Sequence, residues 1–212
     1  MDLGVIVAVT SASALLEVDG IPSLIRAIHD LLQVFPGESI TIAVDSANEP
    51  AVSQLLKRNL IDHSLVICDP NKPKELAGAL APIIESCEAL LLHDACRPLT
   101  STDQIDRVVG EFTADIDAVR PAIAFTETLK VLGPNSHIEG TLDRTKVKRI
   151  STPELIRTSA VDLEGTDQSW FLPLKKNAHT RTIEGNPESI RMNSLAERQL
   201  LESFLHWKTN HN

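Results

Sequence analysis

The stretch Glu88-Ala-Leu-Leu-Leu-His-Asp-Ala-Cys-Arg-Pro98 decides the fold of this chain. Its uninterrupted apolar run predicts a strand that is covered on both faces. The run ends abruptly in His93, Asp94 and Arg97, and a plausible helix start follows at Ser101. These polar residues would then lie at the carboxyl end of a buried strand, where open α/β sheets bind their ligands. The stretch therefore predicts both a central strand and a ligand site.

Apolar segments on either side of this strand alternate between strand and helix patterns. We expect strands at residues 4–9, 39–44, 64–68 and 117–124, the last broken by Pro121, which suggests an edge strand or a bulge. We expect helices after Gly20-Ile-Pro22 and at residues 50–60, 73–85 and 102–112. This alternation predicts a Rossmann-like, three-layer α/β/α fold with a mostly parallel sheet and right-handed crossovers.

The second half of the chain departs from this rhythm. Residues 126–150 contain two extended segments joined by Gly133-Pro-Asn-Ser136, which predicts a hairpin or a projecting arm. Thr152-Pro-Glu-Leu-Ile156 has proline near its start and predicts a short helix. A last helix is expected at residues 194–207, with its leucines turned inward: Leu195, Leu200, Leu201 and Leu205. The economical prediction is one domain, residues 1–212, with one arm.

Composition excludes several classes of protein. The chain has 212 residues, of which 42% are apolar, enough for a sizeable core. It has 20 basic and 29 acidic residues and a net charge of −9, which argues against a nucleic-acid or membrane-surface binder. No apolar run approaches the ~20 residues of a membrane span, and the N-terminus has no leader pattern, so we expect a cytoplasmic protein. The cysteines, Cys68, Cys87 and Cys96, predict neither a disulfide framework nor a zinc site.

The main basic cluster lies in the expected arm, at Asp143-Arg-Thr-Lys-Val-Lys-Arg149. If this segment is a strand, its period of two puts Arg144, Lys146 and Lys148 on one face. One interpretation is a solvated edge strand whose lysines discourage aggregation. The other is a phosphate-binding surface, for which the planar fork of Arg144 is suited. The spacing alone leaves both open.

His93-Asp-Ala-Cys-Arg-Pro98 resembles the His-Asp-Ala-Ala-Arg-Pro motif of the 2-C-methyl-D-erythritol 4-phosphate cytidylyltransferases, enzymes of the isoprenoid pathway, and of the related ribitol-phosphate cytidylyltransferases. Further short segments resemble motifs of the same family, in the same order. They are Glu127-Thr-Leu-Lys130, Thr141-Leu-Asp-Arg144, Thr152-Pro-Glu154 (Thr-Pro-Gln in the family), Thr166-Asp-Gln-Ser169 and Ile190-Arg-Met-Asn193. Several ordered matches are far more specific than any one of them.

The resemblance implies a reaction and a set of site residues. A phosphate oxygen of a polyol phosphate would attack the α-phosphate of CTP, which enters with Mg²⁺, and pyrophosphate would leave. Asp94 and Arg97 would form the floor of the site, with Asp94 near the acceptor or the nucleotide-bound Mg²⁺, and Arg191 would neutralise phosphate charge. Arg144 would grip the acceptor phosphate from the arm of the second subunit of a homodimer. Acceptor-binding roles are implied for Thr128 and Thr152, and Asp167 is a further acidic candidate.

The nucleotide half of the family pattern is missing. Family members follow the first strand with a glycine-rich loop that wraps the triphosphate and carries an Arg and a Lys. Here Val9-Thr-Ser-Ala-Ser-Ala-Leu-Leu-Glu-Val-Asp-Gly20 has no Lys or Arg and no glycine before Gly20. Only the hydroxyls and amides of Ser11 and Ser13 could meet an anion there. After the third strand, Lys72 remains where the family has a glycine-rich segment that helps to hold the nucleotide.

Two functions therefore stay open after the sequence alone. The chain is either an active cytidylyltransferase with an unconventional nucleotide loop or a catalytically inactive member of the family that binds a phosphate ligand, regulates or assembles. His93 is expected to be a structural hydrogen-bonding residue, because a phosphate that is already ionised at pH 7 needs no general base. Trp170 and Phe171 are expected to be core anchors.

Overall fold

The computed structural model describes residues 2–37, 39–165 and 171–211. Its strands are β1 (Leu3–Val9), β2 (Glu17–Val18), β3 (Ile21–Pro22), β4 (Ile40–Val44), β5 (His63–Ile67), β6 (Ala89–Asp94), β7 (Ala118–Ala124), β8 (Leu129–Leu132), β9 (Ile138–Leu142), β10 (Lys148–Ile150), β11 (Glu154–Arg157) and β12 (Thr180–Glu184). Its α-helices are α1 (Ser23–Val34), α2 (Glu49–Arg58), α3 (Pro73–Ala79), α4 (Ala81–Ser86), α5 (Thr102–Gly110) and α6 (Leu195–His211).

In the described parts of the chain, the predicted central strand, β6, lies inside an eight-stranded sheet. The strand order is β10-β7-β11-β6-β1-β4-β5, and β12 pairs with β7. Strands β6, β1, β4 and β5 run parallel, and β12 runs parallel to β7, whereas β10 and β11 are antiparallel to their neighbours. All six residues of β6 are buried, as its apolar run predicts. The mostly parallel sheet is confirmed.

Helices cover both faces of this sheet, which confirms the three-layer α/β fold. Apolar side chains of α1, α2 and α5 pack against one face, with Val7 and Leu91 among the strand residues they contact. Helices α3 and α4 pack against the other face, together with Phe171 and Leu172. Phe171 is thus the core residue that the sequence predicts. The helix expected at residues 73–85 is present but divided, because α3 ends before Leu80 and α4 begins after it.

The helix predicted from Thr152-Pro-Glu-Leu-Ile156 is wrong, because this segment forms β11. It fills the gap between β6 and β7, and it pairs antiparallel with both. Leu155 packs into one core layer and Ile156 into the other, which is the alternation of a strand with two covered faces. Tertiary pairing overrides the local proline signal here.

Pro121 is not on an edge strand, because β7 has neighbours on both sides. Strand β12 covers one side, and on the other side the partner changes from β11 to β10. Pro121 lies at this change, between the pairs Val119↔Leu155 and Ala122↔Ile150, and its carbonyl oxygen accepts from Ser151 N at 2.8 Å. A backbone N–H at position 121, which proline lacks, would point to the side of β7 on which the partner changes. The hydrogen-bond ladder is already interrupted there.

The arm forms as predicted, although its basic segment does not. Strands β8 and β9 pair as an antiparallel hairpin, joined by a 3₁₀ turn at Pro134–Ser136. The expected strand at residues 143–149 is wrong: Arg144–Lys146 is a 3₁₀ turn in which the Asp143 side chain caps the amide of Thr145, and the strand on β7, β10, begins only at Lys148. Arg144, Lys146 and Lys148 therefore do not share a strand face.

Helix α6 packs through fewer leucines than predicted. Leu201 is 1% exposed and lies in a small cluster with Val18, Leu99 and Met192, against which Leu205 also packs. Leu195 and Leu200 are exposed, so their predicted inward orientation is wrong. None of the helices in the described parts of the chain is both long and apolar enough to span a bilayer.

Candidate functional site

The candidate site forms where the carboxyl ends of β1 and β6 meet. These strands are parallel neighbours, so Thr10, which follows β1, lies beside Asp94, the last residue of β6. The Asp94 side chain is fully buried, and its Oδ1 accepts hydrogen bonds from Thr10 Oγ1 at 2.8 Å and from Cys96 N at 3.0 Å. The strand-end rule that predicted a site at Asp94 is thus matched by a built polar cluster.

Two arginines flank the Asp94 carboxylate. Arg191 donates from Nε to Asp94 Oδ2 at 2.9 Å and from Nη2 to Thr10 Oγ1 at 2.8 Å, and its Nη1 donates to Asn193. Arg97 Nε lies 3.8 Å from the same Oδ2. One buried negative charge therefore sits between two positive charges, so the cluster carries an excess of positive charge toward a ligand. The structure brings together Asp94, Arg97 and Arg191, as the sequence predicts.

Arg97 is only 4% exposed, and it is hydrogen-bonded to two other segments of the chain. Its Nη1 donates to Ser189 O at 2.6 Å and to Ser151 Oγ at 3.2 Å, and its Nη2 donates to Ile150 O at 3.4 Å. Burial lowers the pKa of Arg97 from its ordinary value, and Asp94 opposes this shift. A guanidinium nevertheless stays protonated in proteins. Its Nε is buried without a hydrogen-bond partner. This donor faces the Asp94 carboxylate at 3.8 Å without forming a hydrogen bond to it.

Thr152 links the strand end to His93. Its Oγ1 accepts from Asp94 N at 3.1 Å and lies 3.0 Å from His93 Nδ1. Burial lowers the pKa of His93 to about 4, so the imidazole is neutral at pH 7. A buried, neutral imidazole bonded to a threonine has the structural role that the sequence analysis expects. Thr152 is itself fully buried, and it shapes the floor of the site rather than its open surface.

A short turn follows β1, where the family resemblance implies a nucleotide loop. Ala12–Leu15 is a 3₁₀ turn, and Ser11 Oγ caps it by accepting from Ser13 N at 3.2 Å. Ser11 Oγ also lies 3.3 Å from Cys96 Sγ. Ser11 is therefore next to the Asp94 cluster, and the amide of Ser13 is already bonded. The thiol of Cys96 is buried, and this burial raises its pKa, so Cys96 is an inert neighbour.

The loop after β5 closes the same side of the site. Asn71 Nδ2 donates to Thr10 O at 2.9 Å, which fixes this loop against the end of β1. Lys72 Nζ lies 2.8 Å from Glu75 Oε1 and 3.8 Å from Asp69 Oδ2. The charge that the sequence offers for nucleotide phosphates is thus already balanced by two carboxylates, and binding a phosphate would require Lys72 to change partners.

The remaining predicted residues lie elsewhere or outside the described residues. Thr128 and Arg144 are exposed on the arm, and Arg144 donates to Thr126 O of its own chain. Their bonds within one chain do not connect them to Asp94. Asp167 and Trp170 fall in residues 166–170, which are outside the described residues. Within a single chain, the acceptor residues are thus split between the Asp94 cluster and the arm.

The residues present do not fit a magnesium ion held by the protein. In the part of the chain that the structure describes, no three His, Cys, Asp or Glu side chains form a group that could hold a metal. Both carboxylate oxygens of Asp94 already accept hydrogen bonds, from Thr10, Cys96 and Arg191. Asp94 is thus held mainly by protein donors, and its implied position near the acceptor or a nucleotide-bound Mg²⁺ stays a prediction.

Sequence reasoning missed several polar partners of this site. Thr10 directly follows β1, so the rule that selected Asp94 at the end of β6 could also have selected it. Ser189 gave no such signal, although its hydroxyl lies 2.8 Å from Thr100 Oγ1 and 2.9 Å from Ser151 Oγ. Gln104 Nε2 completes this buried network by donating to Thr152 O at 2.7 Å and to Ser189 Oγ at 3.2 Å.

Comparison with known proteins gives a consistent result. The family model described as "IspD: 2-C-methyl-D-erythritol 4-phosphate cytidylyltransferase" matches residues 4–168. A 2-C-methyl-D-erythritol 4-phosphate cytidylyltransferase of Nocardia farcinica is 27% identical over 209 residues, which cover 95% of this chain and 89% of that protein. The enzyme of the same name from Rhodococcus opacus is 25% identical, with coverages of 96% and 92%.

Solved structures resemble the fold over nearly the whole chain. The 4-diphosphocytidyl-2C-methyl-D-erythritol synthase of Anaerococcus prevotii superimposes with a TM-score of 0.76 at 15% identity, covering 97% of this chain and 98% of that one. The 2-C-methyl-D-erythritol 4-phosphate cytidylyltransferase of Thermus thermophilus gives a TM-score of 0.69 at 16% identity, with coverages of 97% and 100%. At these identities the structures establish a shared fold.

Proposed function

The chain belongs to the 2-C-methyl-D-erythritol 4-phosphate cytidylyltransferase family, and from this premise we propose that it transfers CMP from CTP to a polyol phosphate and releases pyrophosphate, in isoprenoid precursor synthesis. The observation that carries the proposal is the Asp94 cluster, in which a buried carboxylate holds Arg97 and Arg191 at the carboxyl ends of β1 and β6. We expect this one-domain protein to act in the cytoplasm.

The chemistry requires positioning and charge neutralisation and no covalent nucleophile. A phosphate oxygen of the acceptor forms a bond to the α-phosphorus of CTP while the bond to the pyrophosphate oxygen breaks, and negative charge accumulates on the oxygens in between. Arg191 is partly exposed, and all three of its guanidinium nitrogens form hydrogen bonds. It can redirect one or more of these N–H groups to the phosphate oxygens. Asp94 keeps both guanidiniums in place before the substrates bind.

The acceptor phosphate is proposed to be gripped from the arm of a second copy of the chain. Arg144 and Thr128 are exposed on the arm, where a homodimer would let them reach the other subunit's Asp94 cluster. The hairpin also exposes apolar side chains that a dimer would cover: Val131, Leu132, Ile138 and Leu142. Thr152 would support the acceptor pocket from below, and Asp167 is proposed as a polar contact at its wall.

The nucleotide side is proposed to bind CTP weakly. Mg²⁺ would enter on the CTP phosphates, as part of the substrate. Ser11, Ser13 and Lys72 are the groups proposed to lie nearest to the triphosphate, and all three are already bonded to protein partners through the relevant atoms. Each missing charge-assisted contact costs roughly 2–4 kcal/mol of transition-state stabilisation. Turnover should therefore be orders of magnitude below that of an enzyme with a complete glycine-rich loop.

A second function is favoured by one specific observation. The compact turn at Ala12–Leu15 leaves the triphosphate without a backbone cradle or a free cation from that loop. A family member that binds a phosphorylated polyol without transferring CMP would need only the acceptor half of the site. Such a protein would act as a phosphate-ligand binder, a regulator or a structural partner.

The experiment that separates the two functions measures binding and turnover on the same protein. Calorimetry with CTP and Mg²⁺ and, separately, with 2-C-methyl-D-erythritol 4-phosphate gives the two affinities, and pyrophosphate release gives the rate. Slow pyrophosphate release that requires both substrates and disappears in Arg191→Gln supports the transferase. Acceptor binding without CTP binding and without pyrophosphate supports the binder. If the protein binds neither ligand, both proposals are wrong.

A further inference from the structure

A second arginine on the sheet is held by a buried carboxylate, outside the Asp94 cluster. Glu154 on β11 is fully buried, and its Oε2 accepts from Nε of Arg120 on β7. The register places these two residues opposite each other, because Leu155 pairs with Val119. Glu154 stands where the family motif quoted above has glutamine, and a glutamine could not form this ion pair.

The other oxygen of Glu154 is unusual. Its Oε1 is buried and has no hydrogen-bond partner, and burial raises the pKa of the carboxyl while Arg120 opposes the shift. A buried carboxylate that keeps one oxygen bare is costly to retain. Its one strong bond goes to Arg120 Nε, and this bond fixes the direction of the guanidinium fork.

The fork of Arg120 is available to a ligand. The side chain is 20% exposed, and in the described ranges its bonding is confined to Nε, so Nη1 and Nη2 keep their donors. Two parallel N–H donors at the end of a fixed guanidinium match the two oxygens of a phosphate or a carboxylate. Little rotamer entropy would be lost on binding, because Glu154 already holds the side chain.

The position of this fork relates it to the candidate site. Glu154 is paired with Leu92 across β11 and β6, and Asp94 follows Leu92 by two residues, about 7 Å along the strand and on the same face. Glu154 is likewise two residues from Thr152. A small molecule that is bound at Asp94 by one end could therefore extend along this face toward Arg120.

We infer that Arg120, positioned by Glu154, is an oxyanion-binding residue that takes a phosphate or carboxylate group of a ligand on the sheet face shared with Asp94. The inference concerns binding alone and holds whether or not the chain transfers CMP.

The test follows the side-chain Nε–Hε signal of Arg120 by NMR on the full chain, with inorganic phosphate as the probe in one titration and acetate in another. The signal is assigned by its loss in Arg120→Gln. We expect it to shift and saturate with phosphate, with acetate, or with both, which identifies the preferred oxyanion. Arg181→Gln is the matched control, because Arg181 is an arginine on neighbouring β12 whose ion pair with Glu111 is exposed; it should leave the titration unchanged.

Glu154 variants test whether the carboxylate positions the arginine. Glu154→Gln keeps an oxygen acceptor for Arg120 Nε, and the dissociation constant should stay within about threefold, whereas Glu154→Ala frees the fork and should weaken binding about tenfold. A purely structural role would lower the stability of Glu154→Ala without changing the affinity of its folded form. If that variant does not fold, Arg120→Lys replaces it, since lysine keeps the charge but lacks the fork, and about tenfold weaker binding is again expected.

Two outcomes would overturn the inference. One is an Arg120 signal that neither anion moves; a response of the Arg191 signal to phosphate in the same titration would then identify the Asp94 cluster as the anion site. The other is an affinity unchanged by Glu154→Ala or, in its place, by Arg120→Lys.

Discussion

Asp94 organises the candidate site because its carboxylate contacts polar groups from three parts of the chain. Thr10, Cys96 and Arg191 donate to it, and Arg97 lies close by. Asp94 and Arg97 could be predicted from the sequence, because an apolar strand that ends in charged residues marks a ligand position. Thr10 and Arg191 are 84 and 97 residues away from Asp94 along the chain, so without the family resemblance no local pattern could pair them with it.

Replacing Asp94 by asparagine should destabilise the protein by about 3 kcal/mol, because two guanidiniums would then face each other without a buried counter-charge. Urea unfolding at pH 7 measures the change. Asp106→Asn is the matched control, since Asp106 is exposed on α5, and it should change the free energy of unfolding by less than about 0.5 kcal/mol. Equal effects of the two substitutions would mean that Asp94 does not hold the arginines together.

His93 should make the protein less stable at mildly acidic pH. Its pKa is about 4 in the folded chain and about 6.5 when unfolded, so between these values only the unfolded state binds the proton. Stability from His93 is therefore present above about pH 6.5 and is lost as the pH falls toward 4, by about 2 kcal/mol between pH 7 and pH 5.

The measurement for His93 compares the protein with His93→Asn by urea unfolding at pH 7 and pH 5. Glu154, whose pKa is raised, changes stability in the opposite direction and is present in both proteins. The difference between the two proteins isolates the imidazole. The same pH dependence in both would show that His93 does not titrate as a buried neutral group.

At the scale of elements, predictions succeeded where the local pattern and the tertiary surroundings agree. Strands β1, β4 and β6 are covered on both faces, and their continuous apolar runs could hardly form anything else. The prediction for β11 failed because Thr152-Pro-Glu has the local chemistry of a helix start. The segment forms a strand because it pairs with β6 and β7, which are distant in the sequence. The predicted inward orientation of Leu195 and Leu200 in α6 failed because helical spacing alone does not show which face of the helix packs against the rest of the protein.

Helix α6 offers a matched pair of adjacent leucines. Leu201→Ala should cost about 3 kcal/mol, because Leu201 is buried against Val18, Leu99 and Met192. Leu200→Ala should cost less than about 0.5 kcal/mol beyond helix propensity, because Leu200 is 59% exposed. The midpoint of urea unfolding decides between them. A larger loss of stability for Leu200→Ala than for Leu201→Ala would mean that the face of α6 containing Leu200 packs against the protein.

At the scale of the whole molecule, the mostly parallel sheet was predictable because four strands alternate with helices, and right-handed crossovers leave few arrangements. The antiparallel insertion of β11 and the return of β12 to β7 were not predictable, since neither is adjacent in sequence to its partner. The arm was predicted from its Gly133-Pro-Asn-Ser136 turn. The orientation of its basic residues was not, because a capped 3₁₀ turn at Arg144–Lys146 interrupts the strand.

If the chain dimerises through the arm, substitutions on the arm should change the oligomeric state and leave the fold intact. Leu132→Glu combined with Ile138→Glu puts two like charges on the apolar surface of the hairpin, and it should convert a dimer of the chain into a monomer, as measured by light scattering after size-exclusion chromatography. Leu60→Glu is the control, because Leu60 is also highly exposed but lies far from the arm in sequence. A dimer that survives the double substitution would be held by another surface.

The short turn after β1 is fastened at both ends to the same few residues. Thr10 donates to Asp94. Ser23, the first residue of α1, donates from Oγ to the carbonyl oxygen of Ala95, which directly follows Asp94, at 2.5 Å. The two ends of this connection, Thr10 and Ser23, are thus held in place by contacts that do not involve the residues between them. A longer, glycine-rich segment grafted between them would bulge into solvent without moving α1, and each doubling of its length would cost only about 0.6 kcal/mol in closure entropy. These two attachments make the chain a host in which a longer, glycine-rich loop can be built residue by residue between Thr10 and Ser23.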